Sequence, residues 1–358
     1  MTERVLVAMS GGVDSSVAAS LLLEQGYDVV GATLQLWECE GGDRDSCCGL
    51  AGVASARDVA DALCIPHYVV PGADVFEERV LGAAWQEYAR GRTPNPCLLC
   101  NRLIKFGLLD RRARELGARW VATGHHARLE RQPHGLRLRR GRDRNKDQSY
   151  FLALLEPAQL DRALFPVGAL TKAEVREHAR RHGLSSAERP DSQDACFTTE
   201  DVGFAEALRL RFGAPERPGT IVDGQGRELG RHRGIHGFTI GQRKGLGVAL
   251  GHRTYVAAIR PESDEVVLSD DIEDLQAGSF TAAAVTWSPG VESVGAVDCE
   301  VQIRYRSAAV KARVELGPPG GAVVTFESPQ RAVTPGQAAV FYEGEYVLGG
   351  GWIDQVNT

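Results

Sequence analysis

Residues 4–16 constrain the chain most, because a short apolar run ends in two adjacent glycines and continues into a helix-like segment. Residues 5–9 have the length and character of a buried parallel strand, and residues 17–23 carry Ala and Leu at helical density. Glycines let the backbone approach an anion, and the N–H groups of a first helical turn point toward it. The segment therefore predicts a strand–loop–helix turn that binds phosphate.

The side chains of this turn indicate which class of phosphate-binding loop it belongs to. Ser10, Ser15 and Ser16 add hydroxyl donors, and Asp14 either caps the helix or holds a cation that bridges phosphates. The segment lacks the Gly-Lys-Ser/Thr of a Walker loop and the Gly-x-Gly-x-x-Gly of a dinucleotide fold, and an ordinary Gly-Gly turn remains the alternative. It resembles the Ser-Gly-Gly-x-Asp-Ser loop of the ATP pyrophosphatases, or PP-loop enzymes. That resemblance implies cleavage of ATP between its α and β phosphates.

Composition indicates an intracellular globular protein. With 358 residues, two or three domains are expected. No apolar run reaches membrane-spanning length and no signal-peptide pattern is present, so the cytoplasm is the expected location. The eight cysteines are then expected to be reduced, catalytic or metal-binding. The net charge of −6 argues weakly against nucleic acid, although the local distribution of charge points the other way.

Hydrophobic periodicity predicts an α/β fold. Strands at 28–36, 67–70 and 119–123 alternate with helices at 53–63 and 76–88, which is typical of a parallel sheet. Thr171 and Glu174 have capping-box spacing and predict a helix that runs to His182 and stops at Gly183.

Glycine, proline and β-branched residues become frequent after residue 205. A linking helix at 202–212, a β-rich unit at 219–269 and an antiparallel barrel from 279 are predicted. The six barrel strands are expected near residues 279, 298, 310, 322, 331 and 346. The predicted domains are therefore 1–205, a parallel-sheet adenine-nucleotide-binding domain, 206–275, a small β-rich central domain, and 276–358, a C-terminal antiparallel β-barrel.

Cys97 and Cys100 form a Cys-x-x-Cys pair just after a proline-rich loop. Such a pair is redox-active or supplies half of a metal site, but the sequence contains no second Cys-x-x-Cys. Nucleophile chemistry and a three-cysteine cluster both remain open. Cys39, Cys47 and Cys48 have poor chelate spacing, and the apolar surroundings of two further cysteines predict burial, namely Cys64 and Cys299.

A dense basic run follows the tandem histidines at 125–126. Only Glu130 and Asp143 oppose it, and its members are Arg128, Arg131, Arg137, Arg139, Arg140, Arg142, Arg144 and Lys146. Alternation with leucines predicts a hairpin that turns at 133–135 and contacts a phosphate backbone, the alternative being a solvated face. Residues 302–306 alternate similarly, as an RNA-binding strand or an ordinary barrel strand would.

Together these segments resemble the tRNA-specific 2-thiouridylase family in order and spacing. The segments are Ser-Gly-Gly-Val-Asp-Ser-Ser at 10–16, Gly-Arg-Thr-Pro-Asn-Pro at 91–96, Cys100-Asn101, Ala-Thr-Gly-His-His at 122–126, Lys-Asp-Gln-Ser-Tyr at 146–150 and Asp-Ser-Gln-Asp-Ala-Cys-Phe at 191–197. Residues 237–247, 304–306 and 335–337 extend the resemblance over essentially the whole chain.

The resemblance implies ATP-dependent 2-thiolation of the wobble uridine of tRNA. ATP, with Mg²⁺, would be bound by Ala8, Met9, Ser10, Gly11, Gly12, Val13, Asp14, Ser15, Leu34 and Gly124. The target base would lie against Asn95, Pro96 and Cys97. The tRNA would be contacted by His125, Lys146, Asp147, Gln148, Arg304, Tyr305 and Gln337.

The resemblance also implies the sulfur chemistry. Cys196 would carry a persulfide that is supplied by a cysteine desulfurase or a sulfur-relay protein. Cys100 would resolve it, leaving a Cys100–Cys196 disulfide to be reduced in each turnover. The protein is expected to act as a monomer.

One position departs from the family pattern. Many members carry an acid where this chain has Cys97, so acid–base chemistry at the target base would need a thiol of lowered pKa. The alternative hypothesis is an iron–sulfur cluster held by Cys97, Cys100 and Cys196.

Two other functional classes compete with this interpretation. Another PP-loop enzyme, such as a 2-thiocytidine-forming or lysidine-forming tRNA enzyme or an argininosuccinate synthetase, would share the loop at 10–16 without needing Cys196. A non-enzymatic cysteine–metal RNA-binding module would explain the arginines and leave that loop without a role.

Overall fold

A five-stranded parallel sheet forms the N-terminal part of the molecule in the computed structural model, which describes residues 2–36, 50–190, 202–291, 295–317 and 320–357. Its strand order is β3-β2-β1-β4-β7. The strands are β1 Arg4–Ala8, β2 Asp28–Gln35, β3 His67–Pro71, β4 Trp120–Thr123 and β7 Ala163–Leu164. The predicted α/β class with a parallel sheet is confirmed.

Helices cover the sheet. They are α1 Val13–Glu24, α2 Leu50–Ala62, α3 Ala73–Phe76, α4 Gly82–Ala89, α5 Pro96–Leu99, α6 Leu109–Glu115, α7 Ser149–Leu152, α8 Pro157–Leu160 and α9 Lys172–Arg181. Two π-helical stretches, Glu77–Leu81 and Cys100–Leu108, continue α3 and α5. Short 3₁₀ turns lie at Pro166–Ala169, Ile235–Gly237 and Glu273–Leu275.

The central strand β1 determines where a ligand can bind. Val5, Leu6 and Val7 are fully buried, as expected for a strand covered on both faces. Strand β1 pairs in parallel with β2 on one side and with β4 on the other. The chain therefore builds the sheet outward from β1 in one direction and then in the other, so β1 lies at the point where the strand order reverses. Ligands of open α/β sheets bind beyond the carboxyl ends of the strands at such a point. The loop that follows Ala8 lies there.

Helix α9 has the predicted start and stop. The backbone N–H of Thr171 donates to Glu174 at 2.7 Å, and the Glu174 N–H donates to the Thr171 hydroxyl at 3.3 Å. This capping box is present as predicted, and Gly183 follows in the left-handed region with φ of +62°. Helix α1 packs beside α9.

A second, smaller sheet forms the middle of the chain after helix α10, Phe204–Arg211. Its order is β10-β11-β8-β9, with β8 Gly219–Val222, β9 Glu228–His232, β10 Tyr255–Arg260 and β11 Glu265–Ser269. Ile221, Val256 and Val266 are fully buried in its core. The β-rich middle unit is confirmed.

The C-terminal strands form a closed six-stranded antiparallel barrel, since β12 pairs with both β15 and β17. The strands are β12 Gln276–Trp287, β13 Ala296–Gln302, β14 Val310–Leu316, β15 Gly321–Arg331, β16 Ala338–Glu343 and β17 Tyr346–Asn357.

Two details of the predicted barrel are wrong. A separate strand near Arg331 does not form, because β15 runs through that position and the sixth strand is β16. The predicted alternation over 302–306 also fails: strand β13 ends at Gln302, and Arg306 adopts a φ of +68° in the turn that follows.

The basic hairpin forms as predicted but contacts protein. Strands β5 Ala127–Gln132 and β6 Gly135–Arg140 pair antiparallel, and Arg139 of β6 pairs with Tyr346 of β17. The hairpin thereby extends the barrel sheet.

Acidic side chains neutralise much of the hairpin's charge. Glu345 accepts bonds from Arg128 at 2.9 Å and Arg144 at 2.7 Å, and also contacts Arg139. Arg142 pairs with Glu174 at 3.1 Å. Several of the hairpin's arginines therefore attach it to its own protein, and contact of the basic strip with a phosphate backbone remains a prediction.

The cysteine environments differ from expectation at one position. Cys64 is exposed, in a left-handed turn with φ of +53°, so its predicted burial is wrong. Cys299 is half-buried, and burial together with the neighbouring Asp298 and Glu300 carboxylates raises its pKa to about 12. Among the described helices, none has both the length and the apolar character needed to cross a membrane.

Candidate functional site

The loop between β1 and α1 has the geometry of an anion cradle. Gly11 has a φ of +75°, and a Cβ there would lie 2.7 Å from the carbonyl oxygen of Gly52. Ser55 and Arg189 hydrogen-bond the Gly11 carbonyl oxygen at 3.1 and 3.0 Å. The turn is thus held in place, and the residues present fit a bound phosphate group at the start of α1.

Serine hydroxyls brace the same loop. Ser15 Oγ accepts from the Ser10 N–H at 3.2 Å and donates to the Gly12 carbonyl oxygen at 3.0 Å. Ser16 Oγ donates to that carbonyl oxygen at 2.9 Å. The residue before the helix, Gly12, makes no side-chain capping bond. The first-turn N–H groups are therefore available to an anion.

Asp14 does not cap the helix. Lys172 Nζ donates to both of its carboxylate oxygens at 2.7 Å, and His126 Nε2 lies 3.2 Å from Oδ1. Burial opposes ionisation of Asp14, but the His126 hydrogen bond and the Lys172 charge together outweigh it and lower its pKa. A cationic side chain is therefore fixed beside the cradle.

The end of β4 touches the start of α1. A Cβ at Gly124 would lie 2.6 Å from both the Asp14 carbonyl carbon and the Ser15 nitrogen, so glycine is required for this approach. Ala8 and Val13 flank the loop, and Met9 N donates to Ala32 O at 2.8 Å. Leu34, at the carboxyl end of β2, is 8% exposed. The predicted ATP-binding residues thus lie at one edge of the sheet.

The residues after β4 and β6 pack around this edge. His125 is 9% exposed, its Nδ1 lies 2.7 Å from the Thr123 hydroxyl, and burial with the nearby Lys105 charge holds its pKa well below the usual range. The Gln148 side chain accepts from the His126 N–H at 2.9 Å. Asp147 accepts from the backbone N–H groups of Gly141 at 2.9 Å and Ser149 at 3.0 Å. Lys146 precedes this buried turn.

A second group gathers around Tyr150. Its hydroxyl donates to the Ala338 carbonyl oxygen at 2.8 Å, and burial raises the pKa of Tyr150 against a smaller lowering effect of the nearby Asn95 side chain. The Phe151 and Tyr305 rings pack at 4.2 Å, and Tyr150 lies 6.1 Å from Tyr305. Two predicted target-base or tRNA residues, Asn95 and Tyr305, are therefore brought together.

The barrel supports the loop that contains Asn95. Gln337 Nε2 donates to the carbonyl oxygens of Thr93 at 2.9 Å and Pro94 at 3.3 Å. Arg92 donates to Asp354 at 2.7 Å, and the Thr93 hydroxyl donates to the Thr239 hydroxyl at 3.0 Å. The loop therefore touches all three parts of the chain.

Arg304 remains exposed, with one guanidinium nitrogen donating to the Arg331 and Ala332 carbonyl oxygens at 2.9 and 3.2 Å.

The two cysteines of the Cys-x-x-Cys pair differ in exposure. Pro96 starts α5, Cys97 lies in it half-exposed, and Cys100 begins the π-helical stretch at 8% exposure. π-helical turns occur frequently at functional sites. Cys196 lies outside the described residues, as do Cys39, Cys47 and Cys48.

Sequence reasoning missed three side chains of this site: Lys172, His126 and the buried Tyr150. Lys172 lies 158 residues from Asp14, and no local pattern reports a contact at that separation. A signal for His126 existed in the tandem histidines after a strand. Tyr150 could have been proposed from its position two residues after Gln148, which was a predicted tRNA contact.

Comparison with known proteins identifies the family. Models described as the tRNA methyl transferase HUP domain, the tRNA methyl transferase PRC-barrel domain and the aminomethyltransferase beta-barrel domain match residues 3–200, 210–270 and 277–353. The tRNA-specific 2-thiouridylase MnmA of Geobacter metallireducens is 46% identical over 363 residues, covering 99% of this chain and 98% of that protein. The protein of that name from Chloroflexus aurantiacus is 48% identical, covering 98% of both. The chain belongs to the tRNA-specific 2-thiouridylase family.

Proposed function

We propose that this protein catalyses ATP-dependent 2-thiolation of the wobble uridine of tRNA. The observation that carries the proposal is that residues 146–151 contact both the phosphate cradle and the region around Asn95. Gln148 accepts from the His126 N–H beside the phosphate cradle, and the Tyr150 hydroxyl, two residues on, donates to the Ala338 carbonyl oxygen. The residue before Ala338, Gln337, donates to the loop that leads to Asn95. A nucleotide in the cradle and a base against Asn95 would therefore share one rigid support.

The cradle residues suit the triphosphate of ATP. The first-turn N–H groups of α1 and the hydroxyls of Ser10 and Ser15 would bind the pyrophosphate portion, with Lys172 neutralising its charge. Mg²⁺, bound with ATP, would add charge stabilisation, and Asp14 is the carboxylate at hand to orient it. Leu34 and Gly124 would lie near the adenosine.

The base would be activated next to Asn95, Pro96 and Cys97. A tRNA base must leave its stack to reach such a pocket. Its 2-carbonyl oxygen would attack the α phosphate, which releases pyrophosphate and makes AMP the leaving group on carbon 2.

Sulfur would then come from Cys196. The terminal sulfur of its persulfide attacks carbon 2 and AMP departs. The Cys100 thiolate next attacks Cys196 Sγ, and the sulfur–sulfur bond breaks with its electron pair left on the sulfur of the base. The resulting Cys100–Cys196 disulfide needs a thiol reductant in each turnover, and a persulfide donor such as a cysteine desulfurase or a sulfur-relay protein reloads Cys196.

Cys97 stands at a position where many family members carry an acidic residue. We propose two alternative roles for it. Either it handles protons at the base as a thiol, or Cys97, Cys100 and Cys196 hold an iron–sulfur cluster. Cys97 and Cys100 lie three residues apart across the α5–π junction, which supports a shared ligand. Anaerobic purification with iron and sulfide analysis decides: an iron-free protein that thiolates tRNA at full rate excludes the cluster.

The remaining assignments extend this proposal to the whole chain. The tRNA would be contacted by His125, Lys146, Asp147, Gln148, Arg304, Tyr305 and Gln337. We retain domain boundaries of 1–205, 206–275 and 276–358, supported by the two separate β sheets after residue 205. A monomer acting in the cytoplasm is proposed.

Pyrophosphate release tests the enzymatic class. With purified protein and ATP, release is expected only when tRNA bearing a wobble uridine is added. Release without tRNA dependence would favour another PP-loop enzyme, and no release under either condition would favour a non-enzymatic RNA-binding module.

A further inference from the structure

Two histidines and a glutamate converge at the end of the α1–α9 helix pair that lies farthest from the phosphate cradle. Glu24 ends α1, and His178 and His182 lie one turn apart on α9 and just after it. One donor atom from each of the three side chains lies within 4.8 Å of the other two. His182 Nε2 is 3.0 Å and His178 Nε2 is 3.8 Å from Glu24 Oε1.

These separations suit a tetrahedral metal ion. Ligand atoms about 2.1 Å from zinc at tetrahedral angles lie roughly 3.4 Å apart, between the two distances found here. The imidazole rings stack at 4.2 Å with an interplanar angle of 19°, so both Nε2 atoms face the same carboxylate. Two imidazoles and one carboxylate leave a fourth position for water.

The three side chains combine one buried imidazole with two exposed groups. The His178 side chain is 9% exposed, whereas His182 and Glu24 are 39% and 47% exposed and give an ion access. Ser20 Oγ lies 3.0 Å from His178 Nε2, and a metal ion bound to that nitrogen would replace this hydrogen bond. Arg181, a cation next to His182 in the chain, pairs with Glu177 at 3.8 Å.

We propose that Glu24, His178 and His182 bind a divalent transition-metal ion of the zinc class. The ion would fasten the carboxyl-terminal ends of α1 and α9, whose amino-terminal ends are joined by Asp14 and Lys172. Because α1 begins at the phosphate loop and α9 begins at Lys172, the site would stabilise the scaffold of the cradle without touching the reacting atoms.

Metal titration of the full-length, tag-free protein tests the proposal. After chelation, the protein is titrated with Zn²⁺ by calorimetry and with Co²⁺ by absorption spectroscopy, with its thiols alkylated beforehand. His182→Ala and Glu24→Gln are compared with His134→Ala, an exposed histidine on the β5–β6 turn. Both substituted residues are partly exposed, and circular dichroism verifies that each variant is folded.

We expect wild type and His134→Ala to bind one equivalent with a tetrahedral cobalt spectrum that lacks sulfur-to-metal charge transfer. His182→Ala and Glu24→Gln should each weaken zinc binding at least about tenfold, as loss of a ligand predicts. Zinc should also raise the thermal midpoint of wild type and leave that of His182→Ala unchanged. Equal binding by wild type and His182→Ala, or no binding by alkylated wild type, overturns the proposal.

Discussion

Lys172 is a cation fixed beside the phosphate cradle. Its ammonium group donates to both oxygens of Asp14, which lies in the first turn of α1, the helix proposed to bind the anion. In the proposed reaction, an ammonium held there would neutralise charge that develops on the departing pyrophosphate, and such preorganised contacts are worth a large share of a rate enhancement.

Replacing Lys172 with Met should lower tRNA-dependent pyrophosphate release about 100-fold, in line with the loss of one preorganised charged donor. Lys172→Arg should recover part of the rate because it keeps the charge. Arg180→Met, which removes a half-exposed cation from the same helix, serves as the matched control. Equal rates for Lys172→Met and Arg180→Met would refute the assigned role.

The sequence predicted the cradle but not this partner. Glycines, hydroxyls and the strand–helix order are local features, and each indicates an anion site on its own. The contact of Lys172 with Asp14 depends on the packing of α9 against α1, which no residue near either position encodes.

At the scale of elements, the loop before α5 is held in place by a residue of the C-terminal barrel. Gln337, at the start of β16, donates two hydrogen bonds to backbone carbonyls of that loop. It was predicted as a tRNA contact, which remains a prediction, and its observed partners give it a positioning role as well.

Gln337→Ala should slow thiolation roughly tenfold, because two hydrogen bonds of about 1 kcal/mol each no longer fix the loop that presents Asn95. Single-turnover rates and tRNA dissociation constants separate the roles. A slower rate with tRNA affinity changed less than about threefold supports positioning. A tenfold loss of affinity with an unchanged rate supports direct tRNA contact instead.

A second element-scale test concerns pH. Hydrogen bonding from Arg209, outweighing burial, and a further bond to His236 lower the pKa of Glu206 to about 2 from its usual 4.5. The Glu206–His236 contact joins α10 to the middle unit. Because protonation is easier in the unfolded chain, this stabilisation is complete above about pH 4.5 and is lost as the pH falls toward 2.

Glu206→Gln should therefore flatten the fall of unfolding free energy between pH 4.5 and 2 and lower stability at pH 7. Urea unfolding at several pH values measures both effects, with the exposed Glu262→Gln as control. If the unfolding free energy of Glu206→Gln fell between pH 4.5 and 2 as steeply as that of wild type, the assigned pKa would be contradicted.

For the whole molecule, the distinctive feature is that the β5–β6 hairpin belongs to the first unit by sequence and to the barrel by structure. Local alternation predicted the hairpin and its turn. Its attachment to the barrel includes the pairing of Arg139 with Tyr346, ion pairs with Glu345 and a hydrogen bond from Tyr346 to Glu130. The barrel partners lie more than 200 residues away, so sequence pattern could not reveal them. Strand β16 was missed for a different reason. Its first five residues are all buried, so its sequence shows no alternation of apolar and polar residues.

Glu345→Ala should release the hairpin arginines from the barrel. We expect a loss of about 1 kcal/mol of unfolding free energy, modest because the pairs are partly exposed, together with stronger salt-dependent binding of non-cognate RNA. Glu327→Ala, an exposed acid on β15, is the control. Unchanged stability and RNA binding relative to that control would show that the hairpin is held by other contacts.

The most direct test of the account is mass spectrometry of the wobble nucleoside after reaction with ATP, tRNA and a cysteine desulfurase with cysteine. Wild type and the control Cys64→Ser should yield 2-thiouridine, Cys196→Ser should yield none, and Cys100→Ser should stop after a single turnover at most. Formation of 2-thiouridine by Cys196→Ser at the wild-type rate, or a different modified base from the wild type, would contradict it.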